Sequence, residues 1–186
     1  MEILKFLTQR IDLDNDVIQI IQSEFVNHEF KKGEHILLPG NQNRRVYFIE
    51  KGLTRMYYCK EEKVITHMFF NQDQIFTNVE VIYYNEISPY GLECIEDCTL
   101  TSVSYDRIIG LAKTYPIIDE LSRNILLETL YKLSNRLRSM QFKTAEERYN
   151  ELLQQHPEIL LRAPLGHIAS YLGISQPTLS VIRSKK

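Results

Sequence analysis

The chain has 186 residues, 44% of them hydrophobic and 25% charged, a composition ordinary for a globular domain and too rich in apolar residues for a disordered chain. No apolar run approaches the ~20 residues that span a bilayer, and the start of the chain, with Glu2 and Lys5, lacks a signal-peptide layout, so no membrane partner and a cytoplasmic location are expected. The net charge of −2 is uneven: residues 131–186 carry nine Lys/Arg against four acids, or +5, leaving −7 for the rest, which points to a polyanion partner at one end. In chain order, Asp12–Phe25 predicts a short amphipathic helix with Val17, Ile20, Ile21 and Phe25 on one stripe. His35–Leu38 predicts a strand stopped by Pro39-Gly40, and Val46–Glu50 another stopped by Lys51-Gly52. Leu53–Cys59 and Val64–Phe70 follow, joined by the charged turn Lys60-Glu61-Glu62, then strand-like runs at Val79–Tyr84, Tyr90–Ile95 and Leu100–Tyr105. Short strands at near-regular spacing indicate an antiparallel sandwich or barrel.

After Tyr105 the period becomes helical. Asp106–Thr114 is a short helix closed by Tyr115-Pro116, and Ile117–Met140 is the longest helical pattern, with neither Gly nor Pro. Leu126, Leu130, Leu133, Leu137 and Met140 recur at spacings of 4, 3, 4 and 3, a heptad-type stripe suited to a homodimer seam. A helix packed on its own sheet is the alternative use of that stripe. Thr144–Gln155 predicts a further helix ended by His156-Pro157, and Pro164–Lys186 holds two short helical runs broken at Gly173.

The segment Leu165–Arg183 has the pattern of a helix-turn-helix. Ala169 is small where a second helix would cross, and Gly173 opens a turn that needs positive φ. Ile168, Leu172, Ile174, Leu179 and Ile182 fill the wedge, Ser175 can cap the second helix and Pro177 suits its first turn. The positions left outside include Gln176, Thr178, Ser180, Val181, Arg183 and Lys185, mostly short polar or basic side chains suited to base edges and phosphates. The expected DNA-binding set is therefore Ser175, Gln176, Thr178, Ser180, Arg183, Lys185 and Lys186, with double-stranded DNA as partner.

Cys59, Cys94 and Cys98 are an odd count and read as small apolar residues rather than a disulfide framework. The five histidines are scattered, and none has a second ligand at zinc spacing, so neither metal nor other cofactor is expected. No nucleophile–base order, phosphate loop or paired carboxylate motif stands out, so no catalytic residue is assigned and an enzyme is not expected. The rival to a DNA-binding protein is a small-molecule binding module whose helical tail is only structural.

The order of roll, long helix and helix-turn-helix resembles the superfamily of the cyclic AMP receptor protein and the fumarate–nitrate regulator (Crp/Fnr), bacterial transcription factors. The resemblance covers nearly the whole chain and rests on Lys32-Gly33-Glu34, Pro39-Gly40, Val46–Leu53, Glu96–Leu100 and, most closely, Ile168–Arg183. It implies an α+β fold: an N-terminal antiparallel β-roll like the cyclic-nucleotide-binding double-stranded β-helix, a long dimerisation helix and a C-terminal helix-turn-helix domain of winged-helix type. The implied boundaries are 1–116 for the sensor roll, 117–140 for the dimerisation helix and 141–186 for the DNA-binding domain. Because the chain given stops three residues after Arg183, any wing is expected ahead of the helix-turn-helix. RNA polymerase and an unidentified small-molecule effector are further candidate partners.

The departures from the family pattern are as informative. Counting from Phe76 places the cassette's ribose-binding Glu at Asn78, and counting back from Glu96-Asp97 places its phosphate-binding Arg at Ser88. A buried phosphate without Arg lacks its charge-assisted partner, so this degenerate pocket is expected to have lost cyclic AMP binding. The family's Arg-Glu-x3-Arg reading set falls on Gln176, Pro177 and Val181, so a different target sequence is expected. An N-terminal cysteine cluster of the iron–sulfur kind is absent from the sequence.

Overall fold

The computed structural model describes residues 2–184. Two helices, α1 (Glu2–Thr8) and α2 (Asn15–Glu24), precede the strands β1 (Val26–Phe30), β2 (His35–Leu37), β3 (Arg45–Lys51), β4 (Thr54–Lys60), β5 (Lys63–Phe70) and β6 (Ile75–Phe76). A short helix α3 (Val79–Tyr84) leads to β7 (Tyr90–Cys94) and β8 (Cys98–Ser104). The remainder is helical: α4 (Tyr105–Thr114), α5 (Pro116–Phe142), α6 (Ala145–Gln155), α7 (Pro157–Arg162), α8 (Leu165–Leu172) and α9 (Gln176–Ser184).

The strands form two four-stranded sheets, ordered β1-β8-β3-β6 and β2-β7-β4-β5, with every pairing antiparallel. Side chains of a strand alternate between faces, and here both faces of each sheet are covered. On β3, Tyr47 and Ile49 point into the core between the sheets, with Met56, Phe70, Leu92 and Leu100. Phe48 points the other way, into a second core built with α1, α2 and the start of α5. The outer side of the second sheet contributes Leu53, Phe69 and Ile95 to a third core, completed by α6 to α9. That double cover explains the near-continuous apolar run Val46–Ile49, since a strand with one wet face would alternate. Each fully buried large apolar side chain contributes about 1.5–3 kcal/mol, so the three cores account for the register of the sheets.

Several sequence expectations are corrected. Val79–Tyr84, expected as a strand for its β-branched and aromatic residues, is the helix α3. It has no neighbouring strand to pair with, buries Val81 and Ile82 side by side, and is stopped by Asn85 in the left-handed conformation (φ 56°). Tertiary burial overrides propensity there. Helices α1 and α7 and strand β1 were not expected; β1 pairs with β8 although its sequence, Val-Asn-His-Glu-Phe, is mostly polar and half exposed. The wing expected ahead of the last two helices is absent among the described residues, where no strand follows β8. Its place is taken by α7, which Pro157 starts in the first-turn position that tolerates a missing N–H. Among the described residues no helix is long and apolar enough to cross a membrane.

Gly52 marks a close approach of two loops in the roll. Its φ is +108°, and a Cβ there would lie 2.5 Å from Cys98 Sγ and 2.9 Å from the Asp97 carbonyl oxygen. Gly110, inside α4, has open space at the same point. Gly52→Ala is expected to destabilise the protein by more than ~2 kcal/mol, through strain and overlap together. Gly110→Ala should stabilise it by ~0.5–1 kcal/mol. Urea denaturation of both variants checks the pair of signs.

Candidate functional site

The last two helices meet through a short turn. Gly173 adopts φ 68° and ψ 34°, the left-handed conformation expected of it, and its N–H caps α8 on the carbonyls of Ala169 and Ser170. Ser175 caps α9: its Oγ accepts the Thr178 N–H at 3.2 Å and lies 2.8 Å from the Thr178 hydroxyl. Ile168, Ala169, Leu172, Leu179 and Ile182 are buried between the helices. The opposite side of α9 leaves Gln176, Thr178, Ser180 and Arg183 exposed, so these side chains share one solvent-facing surface with Val181. Two residues of the expected DNA-binding set already serve the helix: Ser180 Oγ donates to the Gln176 carbonyl at 3.2 Å, and Ser175 is the cap. Gln176 folds back toward α8, where its Oε1 lies 3.4 Å from the position of a Cβ on Gly166. Lys185 and Lys186 lie outside the described residues.

This helix pair is seated on the second sheet. The Thr66 N–H donates to Ser170 Oγ at 2.9 Å, and Phe69 packs on Tyr171 with ring centroids 5.3 Å apart. Arg136 of α5 stacks its guanidinium 3.8 Å above the Tyr171 ring and donates to the Tyr171 carbonyl at 2.9 Å. Arg148 of α6 donates to the Leu172 carbonyl at 3.0 Å. Two cations thus serve the negative end of α8, where carbonyls lack helical partners. Lys143 pairs with Glu151 at 2.7 Å, and Arg162 pairs with Glu96. Four of the basic residues that give the C-terminal third its charge are therefore occupied inside the protein. Composition could not reveal this, because the partners of Arg136 and Arg148 are backbone carbonyls.

The stripe on α5 behaves differently along its length. Near the roll, Ile118 and Leu121 are buried. Beyond them Leu126, Leu130, Leu133, Leu137 and Met140 are 39–63% exposed, and Leu127, Tyr131 and Phe142 are exposed beside them. Met140 also faces the turn, its Cε 2.9 Å from where a Cβ on Gly173 would be. A contiguous uncovered apolar strip of this length is unusual on a monomer.

In the roll, Asn78 and Ser88 are both buried and both tied to Asn41, which the sequence did not single out. Asn78 Nδ2 donates to Asn41 Oδ1 at 3.0 Å, and the Ser88 N–H donates to the Asn41 carbonyl at 3.0 Å. The Asn41 amide in turn donates to the Leu38 and Tyr90 carbonyls. Ser88 Oγ accepts the Tyr90 N–H at 3.2 Å. These polar groups are spent on the loop after Pro39-Gly40, and Asn78 Oδ1 is left buried without a hydrogen-bond partner. On the outer face of the second sheet, the Arg55 guanidinium meets Glu93 at 2.7 Å and donates to Thr66 Oγ1 at 3.2 Å, beside the contact with α8. Cys94 and Cys98 are buried in the core between the sheets, and the Cys98 hydrogen bond together with burial pushes the Cys94 thiol up, away from reactivity.

Residues 27–115 match the family described as the cyclic nucleotide-binding domain. None of the curated proteins matches the chain. Among solved structures, the chain is similar to a mutant of CooA from Carboxydothermus hydrogenoformans, with 19% identity, TM-score 0.73, and 98% of this chain and 83% of that one covered. FixK2 from Bradyrhizobium japonicum gives 18% identity and TM-score 0.75 over 87% of this chain and 83% of that one. A Crp/Fnr-family transcriptional regulator from Eubacterium rectale gives 16% identity and TM-score 0.70 over 92% and 82%.

His67 offers a test of this packing. It sits between Tyr58 and Tyr90, with ring centroids at 6.4 and 5.1 Å. Burial, helped by Arg136, holds its pKa below the ordinary 6.5. The unfolded chain then binds the proton first, so stability is full above about pH 6.5 and falls as the pH drops toward the folded value. His28 and His167 shift the same way, burial first. Thermal melts from pH 7.5 to 5 should show falling stability, with a shallower fall in His67→Gln; an unchanged slope in that variant would remove His67 from the account. Residues 27–115 thus match the cyclic nucleotide-binding domain family, and the chain shares its fold with CooA, FixK2 and the Crp/Fnr-family regulator from Eubacterium rectale.

Proposed function

We propose that the chain is a DNA-binding transcriptional regulator, not an enzyme, that acts as a homodimer and has a roll that no longer takes cyclic AMP. The observation that carries this reading is the two-sided character of α9. Leu179 and Ile182 lock one side into the third core, and Gln176, Thr178, Ser180 and Arg183 line the other in solvent. In a helix-turn-helix such a surface enters the major groove, with its N-terminal residues at base edges. Gln176 is the candidate reader there, through two hydrogen bonds to adenine, and Arg183 is placed further along for phosphate. Residues 1–116 act as the sensor, 117–140 as the dimer helix and 141–186 as the DNA-binding unit.

The uncovered stripe on α5 supports the dimer. Two copies joined along Leu126, Leu130, Leu133, Leu137 and Met140 would cover apolar surface that water otherwise meets. A symmetric pair would present two reading helices about 34 Å apart, one DNA turn. Loss of cyclic AMP binding is supported by Ser88, which has no charge to offer a phosphate and whose Oγ already accepts the Tyr90 N–H.

Selection of bound duplexes from a random pool, followed by a salt series on the selected site and on random DNA, tests the reading. Gln176→Ala is expected to cost about 1–3 kcal/mol on the selected site and to leave random DNA nearly unchanged. Arg183→Ala should weaken both and lower the salt slope by about one. Added cyclic AMP should change neither affinity. No salt-dependent binding to any duplex would leave the helical tail as structural support for a small-molecule binding module.

A further inference from the structure

A cavity of about 320 Å³ lies outside the roll, between the outer face of the first sheet and the helices that cover it. Its floor is Val46, Phe48 and Val103; Ala112 of α4 and Leu121 of α5 stand on its walls. It is separate from the space between the sheets: Val46 and Phe48 alternate with Tyr47 and Ile49, which point into the roll. Its volume equals that of about ten liquid water molecules, yet its walls offer water almost no partners. Apolar walls facing one another across such a gap lose dispersion contacts that a filling molecule restores.

The polar groups stand at the rim, and they define what fits. Glu24 is paired with Arg107 at 2.7 Å, and Asp119 with Arg123 at 2.6 Å, so the acids and the arginine at the rim already have partners. No cation there is left over for an anionic head group among the described residues, and a buried carboxylate without one is costly. Thr77 and Ser122 already donate to the Arg45 and Ile118 carbonyls, which leaves a pair of phenols, Tyr83 and Tyr105. Their rings lie 5.7 Å apart, with Tyr83 57% exposed and Tyr105 half-buried, so the two neutral phenols stand where the cavity opens and can meet a hydroxyl or carbonyl.

We propose that this cavity binds a small neutral apolar molecule, an aliphatic alcohol or ketone of about ten non-hydrogen atoms, with its one polar atom toward Tyr83 and Tyr105. The site lies apart from the DNA-reading surface, and Leu126, the first residue of the exposed stripe of α5, borders it. Because α4 and α5 both line it, a bound molecule packs against the root of the long helix.

Titration calorimetry of the full chain with 1-octanol and with octanoate tests the assignment. The alcohol should bind saturably at one molecule per chain, and the carboxylate of the same length at least about tenfold more weakly, because its charge finds no partner. Ala112→Phe, which fills the cavity, should weaken octanol by at least about tenfold while melting at or above the wild-type temperature. Val64→Ser, at an exposed position of β5 outside the cavity lining, should leave octanol binding unchanged. If Ala112→Phe does not melt cooperatively, Ile109→Gln at the partly exposed mouth replaces it and should weaken octanol in the same direction. Octanol that fails to saturate, octanoate that binds as well as octanol, or binding that Val64→Ser removes and the cavity variants spare would overturn the proposal.

Discussion

The Arg136 guanidinium lies flat on the Tyr171 ring and donates to the Tyr171 carbonyl, and the same ring packs on Phe69 of the second sheet. One residue of the long helix thereby joins the last helix pair to the roll. A planar cation that both stacks and donates is a role Lys cannot take over. Around it the Thr66 N–H to Ser170 hydrogen bond ties α8 to the sheet, the Arg148 cap on Leu172 ties it to α6, and the Arg162–Glu96 pair ties α7 to the turn between β7 and β8. Because α8 and α9 share the core of Leu172, Leu179 and Ile182, the placement of α8 also sets where the exposed side of α9 points.

The same arrangement explains how the surface is divided. The helices that cover the two sheets account for the buried apolar residues, and what they leave exposed falls into two regions of opposite chemistry. One is the apolar strip on α5 from Leu126 to Met140, and the other is the short polar side of α9. Much of the positive charge of the C-terminal third is turned inward, onto helix ends and carboxylates. Recognition of a polyanion by this end would then rest on side-chain shape and on the last residues of the chain more than on a broad basic patch.

The alternation of strands and the switch to a helical period at Tyr105 were legible in the sequence, because pattern and burial agree there. Gly173 was legible for a sharper reason: its left-handed turn has a cost that glycine alone escapes. Val79–Tyr84 was not, since its β-branched and aromatic residues speak for a strand while the absence of a pairing edge makes it a helix. β1 was hidden because its outward side chains are polar and its hydrogen bonds come from β8. In the roll, Asn78 and Ser88 could be located by counting, but their shared partner Asn41 could not, as it sits in a turn whose importance appears only when three loops converge. On α9 the exposed set was legible from the helical period, while the back-folded Gln176 and the self-bonded Ser180 depend on neighbours in space.

On the function we propose, the uncovered stripe and the exposed side of α9 work together, so that two chains hold one duplex. Native mass spectrometry of the protein with a selected 30-base-pair duplex measures this directly. The account predicts a complex of two chains per duplex at every ratio of protein to DNA, and a dimer when DNA is omitted. A stable complex of one chain per duplex, formed by a protein that is monomeric alone, would contradict it.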